Sequence, residues 1–295
     1  MGNHTGEFAA LATALLWTVT ALSFEQAAKR VGSLAVNILR LGLALIFFCI
    51  LSLIRSGHLF PTGINGDSWL WLTVSGVIGF VLGDYCLFSA YALIGSRVSN
   101  LLMALAPPLA TLFGWMILGE KFSLKGMLGM TITLCGIIMV VLRKPGNKIN
   151  FHYSAKGVLF GLGAAAGQAI GLVFSKYGMQ NGDPFVSSQI RVIAGFTGFT
   201  ILFAVLNKWP LLKPVFTRPS TVGFITSGSF FGPFLGVSFS LMAIKFTTTG
   251  IASTIMALTP VFLIPPAIIL LKEKVTWRDI IGALIAVAGV GIFFI

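Results

Sequence analysis

Three charged residues fall where a charge is hardest to keep. Arg40, Asp84 and Arg191 each sit inside a long apolar run of the sequence. A charge at the bilayer centre costs about 2.5–3.5 kcal/mol on insertion scales, so it faces protein or water rather than lipid. For each arginine two readings stand side by side. The guanidinium can snorkel to the nearer membrane surface, or it can bind a substrate or gate a path. For Asp84 the alternatives are an ion pair with a facing helix and a titrating group that couples or binds. The ion pair is favoured, because an unpaired buried charge is costly.

Around these charges stand uncharged groups able to line a polar pocket. Trp17, Tyr85, Gln168 and Gln189 would supply rings and amides. Ser99 and Asn100, with Ser253 and Thr254, precede prolines in their own runs and would supply hydroxyls and a further amide. Pro107 and Pro260 lie inside apolar runs, where proline removes a backbone donor and kinks a helix. The freed carbonyls then need another partner, such as a hydroxyl or water lining a cavity. The plainer alternative is a kinked helix with locally satisfied hydroxyls and rings that merely pack.

Other chemistries lack their parts. His4, His58 and His152 all lie outside the apolar runs, so the usual base of nucleophilic catalysis is missing at membrane depth. Asp84 and Cys86 are two apart, and such a pair on a helix does not face itself. Cys49, Cys86 and Cys135 show no CxxC spacing and no nearby histidine, which supports neither a metal site nor a disulfide. Gly161-Leu162-Gly163 with Gly167 imitates a dinucleotide fingerprint, and Asp183 follows Gly163 by 20 residues. That motif needs a strand, a turn and a helix in water, not an apolar run. No cofactor is expected.

The elements that must position these groups are set by composition. Only 9% of the 295 residues are charged and 56% are hydrophobic. Soluble domains carry about 25% charged residues. This excludes a cytosolic enzyme, a secreted domain and a disordered chain. The net charge of +12 comes from short loops and forms no continuous patch, so nucleic acid is not an expected partner. A membrane helix needs about 20 apolar residues. Ten runs meet that need, at about 6–27, 33–54, 68–92, 98–118, 124–142, 155–176, 186–206, 220–243, 249–271 and 278–295. Barrel strands would alternate apolar and polar residues, whereas these runs are continuously apolar. The amino-terminal MGNHTGEF has no basic leader, so the first run is expected to be a retained span. The fold class is an all-α integral membrane protein of ten transmembrane helices.

The chain also repeats. Leu82-Gly83 returns as Leu235-Gly236, Met103-Ala104-Leu105-Ala106-Pro107 as Met256-Ala257-Leu258-Thr259-Pro260, and Leu118-Gly119-Glu120-Lys121 as Leu271-Lys272-Glu273-Lys274. Gly129 and Gly136 return as Gly282 and Gly289, and every offset is 153 residues. Arg40 and Arg191 are 151 apart. Two five-helix halves follow, residues 1–147 and 148–295. Five is odd, so the second half enters the membrane inverted, an architecture of secondary transporters.

The same residues resemble the drug/metabolite transporter superfamily, in its ten-helix EamA type, over nearly the whole chain. The features are Leu15-Leu16-Trp17, Leu39-Arg40-Leu41, Tyr91-Ala92-Leu93, Ala106-Pro107 and Leu118-Gly119-Glu120-Lys121, answered by Ile190-Arg191-Val192, Thr259-Pro260 and Leu271-Lys272-Glu273-Lys274. Two departures are Gln168 in the place of Trp17 and Lys272 in the place of the loop glycine. The resemblance implies transport, often export, of a metabolite or drug through a central cavity between the halves. It also implies cytoplasmic termini. The loop charges say the opposite, since the side away from the termini holds most of the Lys and Arg and would face inward.

The expected function is therefore a secondary transporter, an exporter or exchanger, of a small metabolite, an amino-acid-like compound or a drug. Its partners would be that substrate and membrane lipid. It would work as a monomer or homodimer in a bacterial or archaeal inner membrane. The alternatives are an intramembrane enzyme or lipid-handling protein, which would need a nucleophile and base, and a channel, which would need a continuous polar pore.

Overall fold

A computed structural model describes residues 4–141, 154–271 and 277–294. Among these residues there is no strand. The helices are α1 (Thr5–Val31), α2 (Ser33–Ser56), α3 (Gly66–Gly76), α4 (Asp84–Met103), α5 (Ala106–Leu118), α6 (Leu124–Val141), α7 (Ala155–Met179), α8 (Pro184–Val205), α9 (Lys213–Phe216), α10 (Pro219–Ser229), α11 (Val237–Phe246), α12 (Thr249–Met256), α13 (Thr259–Phe262), α14 (Ile264–Leu271) and α15 (Trp277–Gly291). Seven described helical stretches are long and apolar enough to cross a membrane, and three shorter apolar ones accompany them. The chain is an all-α, multi-pass integral membrane protein. The boundary expected at 147/148 and the Lys272-Glu273-Lys274 motif lie outside the described residues.

Local chemistry starts several helices. Asn65 caps α3 by accepting the Ser68 N–H at 2.7 Å. Asp183 does the same for α8 with the Phe185 N–H at 2.7 Å, and Pro184 opens that helix. A side-chain oxygen there satisfies an N–H that has no partner within its own helix.

The α3–α4 rod runs antiparallel to α7, and the contacts between them read as a ladder. Gly178 meets Leu72, Gly171 meets Gly79, Gly167 meets Gly83, Gly163 meets Cys86, and Gly157 meets Ile94. Each step back along α7 is a step forward along the rod. Gly161, however, meets Leu102, which a straight continuation could not reach. The chain direction therefore changes between Ile94 and Leu102, although Asp84–Met103 is assigned to helix throughout. The residues of the loop expected at 93–97 are assigned to helix instead. The glycines permit the close approach, since a Cβ at Gly167 would stand 2.9 Å from the Gly83 Cα.

Val77–Gly83, between α3 and α4, is a π-helix of 7 residues, and so is Phe230–Gly236 between α10 and α11. They are 153 residues apart, the offset of the sequence repeat. The helices that cover them also correspond: α7 packs along the first and α1 along the second. The α6 and α15 contact obeys the same rule. Gly129 lies against the Gly289 carbonyl and Gly136 against the Gly282 carbonyl. Exchanging each residue for its repeat mate returns the same two contacts, as a two-fold relation between the halves requires.

The proline-containing helices are interrupted rather than kinked. Ala104 and Leu105 form a turn between α4 and α5, and Ala257 and Leu258 form its counterpart between α12 and α13. Pro107 and Pro260 then fall in the first turn of a new helix. The missing N–H costs nothing there. The discontinuity lies at the turn just before each proline.

Candidate functional site: a cavity between the halves

The two interrupted helices and the two π-segments converge on one cavity of about 470 Å³. Its walls come in repeat-related pairs. Arg40 and Arg191, Trp17 and Gln168, Met103 and Met256, Ala104 and Ala257, Pro107 and Pro260 all line it. Where the pairing is unequal, the site becomes asymmetric. Asp84 stands in one half, and Val237 occupies the equivalent place in the other.

Among the described lining residues, three are charged: Arg40, Asp84 and Arg191. An Nη of Arg40 donates to the Asp84 carboxylate in an ion pair that joins α2 to the start of α4. The amide nitrogen of Gln168 donates to the other Asp84 oxygen at 3.2 Å. The deep carboxylate thus meets a cation on one side and an amide on the other, as the cost of burying it demands. Snorkelling does not describe Arg40.

Arg191 is only 5% exposed; its charge lies within electrostatic reach of Asp84, but it makes no hydrogen bond among the described residues and its Nε–H is buried without a partner. Its guanidinium carbon lies 4.9 Å from the centre of the Phe80 ring. A Cβ at Gly79 would stand 3.3 Å from one of its terminal nitrogens, so that glycine leaves the guanidinium its room. Stacking on a ring face suits a weakly hydrated guanidinium. It leaves the N–H groups unspent.

The cavity hydroxyls are differently committed. Thr20 donates to the Leu16 carbonyl, Ser240 to Val237, Ser253 to Gly250, and Thr259 to Met256. Each spends its one proton on a backbone carbonyl three or four residues back and presents only lone pairs. The rest of the wall is apolar and soft, with Phe80, Leu172, Leu263 and the two methionines.

Several expected residues do not reach the cavity. Tyr85 is 38% exposed and packs against Phe160. Gln189 is buried and donates to the Leu59 carbonyl at 2.8 Å, tying α8 to the 57–65 loop. Thr254 is buried and donates to the Gly250 carbonyl. Ser99 is buried but does not line the cavity. Asn100 lies outside the residues whose side chains are described. Conversely, Phe80, Met103, Met256 and Thr20 line the cavity without having drawn attention as single residues. The repeat of the Met-Ala-Leu motif is the signal that could have found two of them. One turn before each arginine stands a buried polar residue, Asn37 and Ser188, also 151 apart. Neither has a side-chain partner among the described residues.

Polar ties join helix ends on the side of the molecule where the chain begins. Glu120 accepts from Lys176 Nζ at 2.7 Å, from the Thr249 hydroxyl at 2.7 Å and from the Thr249 N–H at 2.9 Å. Its carboxylate therefore caps α12, not its own helix, and suits the positive end of that helix. Lys176 also donates to the Thr247 carbonyl, so it is part of a tie between helices rather than a free interfacial lysine. Glu7 accepts from Thr247, and Lys245 donates to the carbonyls of Asn181 and Gly182.

Comparison with known proteins agrees with this architecture. Residues 4–142 and 155–295 each match the EamA-like transporter family. The chain is similar to human solute carrier family 35 member G1, with 25% identity over 242 residues, covering 79% of this chain and 63% of that protein. The mouse protein of the same name is 25% identical over 247 residues, covering 79% and 62%. This chain thus spans less than two thirds of those relatives. Both are mammalian and lend no support to a bacterial or archaeal membrane. One solved crystal structure superposes with a TM-score of 0.79 at 18% identity, over 98% of this chain and 95% of that one. At such identity the likeness establishes the fold alone.

Proposed function

The chain belongs to the EamA-like transporter family, within the drug/metabolite transporter superfamily, and from that premise we propose that it is a secondary transporter that exports or exchanges a small organic metabolite by alternating access. The halves 1–147 and 148–295 act in this reading as two inverted bodies around one site. The observation that carries it is the placement of the cavity. It sits where interrupted helices and π-segments from both halves meet, walled by repeat-related pairs. Broken helices beside a central site are a recurrent device of transporters, and π-segments concentrate at functional positions. Two equivalent sets of contacts can exchange roles, opening the site first to one side and then to the other. In this reading the polar ties around Glu120 would be among the contacts that such an exchange makes and breaks.

A channel reading would need a polar path, whereas the cavity is mostly apolar. An enzyme reading would need a nucleophile and its base, and among the described lining residues there is no Cys or His. Uptake of a metabolite panel into proteoliposomes tests the proposal. Saturable flux of an unaltered compound is the expected result. Chemical conversion of the compound, or current that rises linearly with voltage, would contradict it.

A further inference from the structure

The unequal pairing of charge across the cavity points to the class of substrate. Each half contributes one arginine to the wall. The first half answers its arginine with Asp84, and the second half offers Val237 in the same place. The charged residues among the described lining, two arginines and one aspartate, therefore sum to one uncompensated positive charge. Arg40 is spent on Asp84. Arg191 is buried and lines the cavity; it lies within electrostatic reach of Asp84, but among the described residues nothing accepts a hydrogen bond from it, and its Nε–H is buried without a partner. A guanidinium in that setting is completed by a planar or tetrahedral anion that accepts two N–H groups at once. We propose that Arg191 is the anchor for a single anionic group, carboxylate or phosphate-type, on an organic molecule of net charge −1. This rests on the transporter reading.

The remaining wall describes the rest of the molecule. Trp17, Phe80, Met103, Met256 and Leu172 form an apolar, polarisable surface suited to a ring or short hydrocarbon body. The cavity hydroxyls have given their protons to nearby backbone carbonyls. They accept hydrogen bonds but do not donate them, so they do not compete with Arg191 for the anion. A neutral molecule would leave Arg191 unpaired, and so would a zwitterion in net charge. A dianion would place its second charge against apolar walls or near Asp84. The substrate stands, in effect, where a second aspartate would stand.

Equilibrium binding to the purified full-length chain in detergent tests this, with four probes that share a phenyl body: 3-phenylpropanoate, its amide, phenylalanine and phenylsuccinate. The monoanion should bind at least about ten-fold more tightly than each of the other three, the scale of one charge-assisted contact. Arg191→Gln should abolish that preference, and Arg191→Lys should weaken it, because an ammonium cannot imitate the two-pronged contact. Val237→Asp provides a second route that does not remove the arginine. It supplies the missing acid inside the protein, and should lower affinity for 3-phenylpropanoate by about ten-fold or more while leaving the fold intact. Equal binding of amide or zwitterion, tighter binding of the dianion, no binding of any probe to the folded protein, or a preference that survives in both folded Arg191→Gln and Val237→Asp would overturn the assignment. The readout is binding, so it separates from the transport reading. Selective binding without flux in vesicles would refute transport and leave the anchor standing.

Discussion

Arg40 and Asp84 are joined in an ion pair in the cavity wall, whereas Arg191, the repeat mate of Arg40, belongs to the half in which Val237 has replaced the acid and makes no such pair among the described residues. Two nearly equivalent halves thus meet in a site that is not equivalent in charge.

If the Arg40–Asp84 pair is a strut, Asp84→Asn should destabilise the protein by about 2–3 kcal/mol, since it leaves a largely buried guanidinium without its counter-charge. Removing both charges, Arg40→Gln with Asp84→Asn, should be less damaging than Asp84→Asn alone. Thermal melts in detergent would show that ordering. Residual flux through Asp84→Asn should keep its pH dependence. Loss of pH-driven accumulation with intact exchange would instead make Asp84 a proton carrier.

The α6–α15 contact has no room for a side chain at its centre. A Cβ at Gly289 would stand 2.5 Å from the Thr133 nitrogen, so Gly289→Ala should cost about 1–3 kcal/mol. Gly223 has nothing within 4 Å of its Cβ position, and Gly223→Ala should melt like the parent. Equal melting temperatures for the two variants would mean that this contact does not set stability.

Glu120 holds a lysine, a hydroxyl and a backbone N–H together. Glu120→Ala should cost about 2–3 kcal/mol, because it strands Lys176 and the α12 terminus at once. Glu120→Gln keeps acceptors for Thr249 and should cost less. Melting curves of the two variants check the order, and a neutral Glu120→Ala would show that packing holds these helix ends together instead.

Since Pro260 occupies the first turn of α13, Pro260→Ala should change stability by less than about 1 kcal/mol and leave the break at Ala257-Leu258 in place. A loss of several kcal/mol would mean that the ring itself holds the break open.

The repeat made much of this fold legible. A gapless offset of 153 carries the π-segments, the helix interruptions and the α6–α15 contact as well as the motifs that revealed it. The break between Ile94 and Leu102 was legible as a boundary, since Gly95-Ser96-Arg97 interrupts the apolar run there, but the sequence does not say that these residues stay helical. The site was legible in its charges and less so in its neighbours. Tyr85 follows Asp84 by one residue and Gln189 precedes Arg191 by two, so helical geometry turns both away from the face their neighbours occupy. Thr254 turns away from Ser253 in the same manner. Composition identifies groups that could line a cavity, whereas only the packing partner decides which face of a helix becomes its wall. That Asp84 would meet Arg40 rather than Arg191 depended on how α2 and α4 pack, which no spacing within either helix encodes.

Counterflow in proteoliposomes addresses the central claim most directly. Vesicles carrying the full chain are loaded with unlabelled 3-phenylpropanoate, and labelled 3-phenylpropanoate is added outside with ion gradients collapsed. An alternating-access exchanger must return loaded, so label should accumulate transiently above equilibrium, and Arg191→Gln, folded and reconstituted to the same density, should lose the overshoot. Label that merely equilibrates, at the same rate with and without internal substrate, would contradict the account.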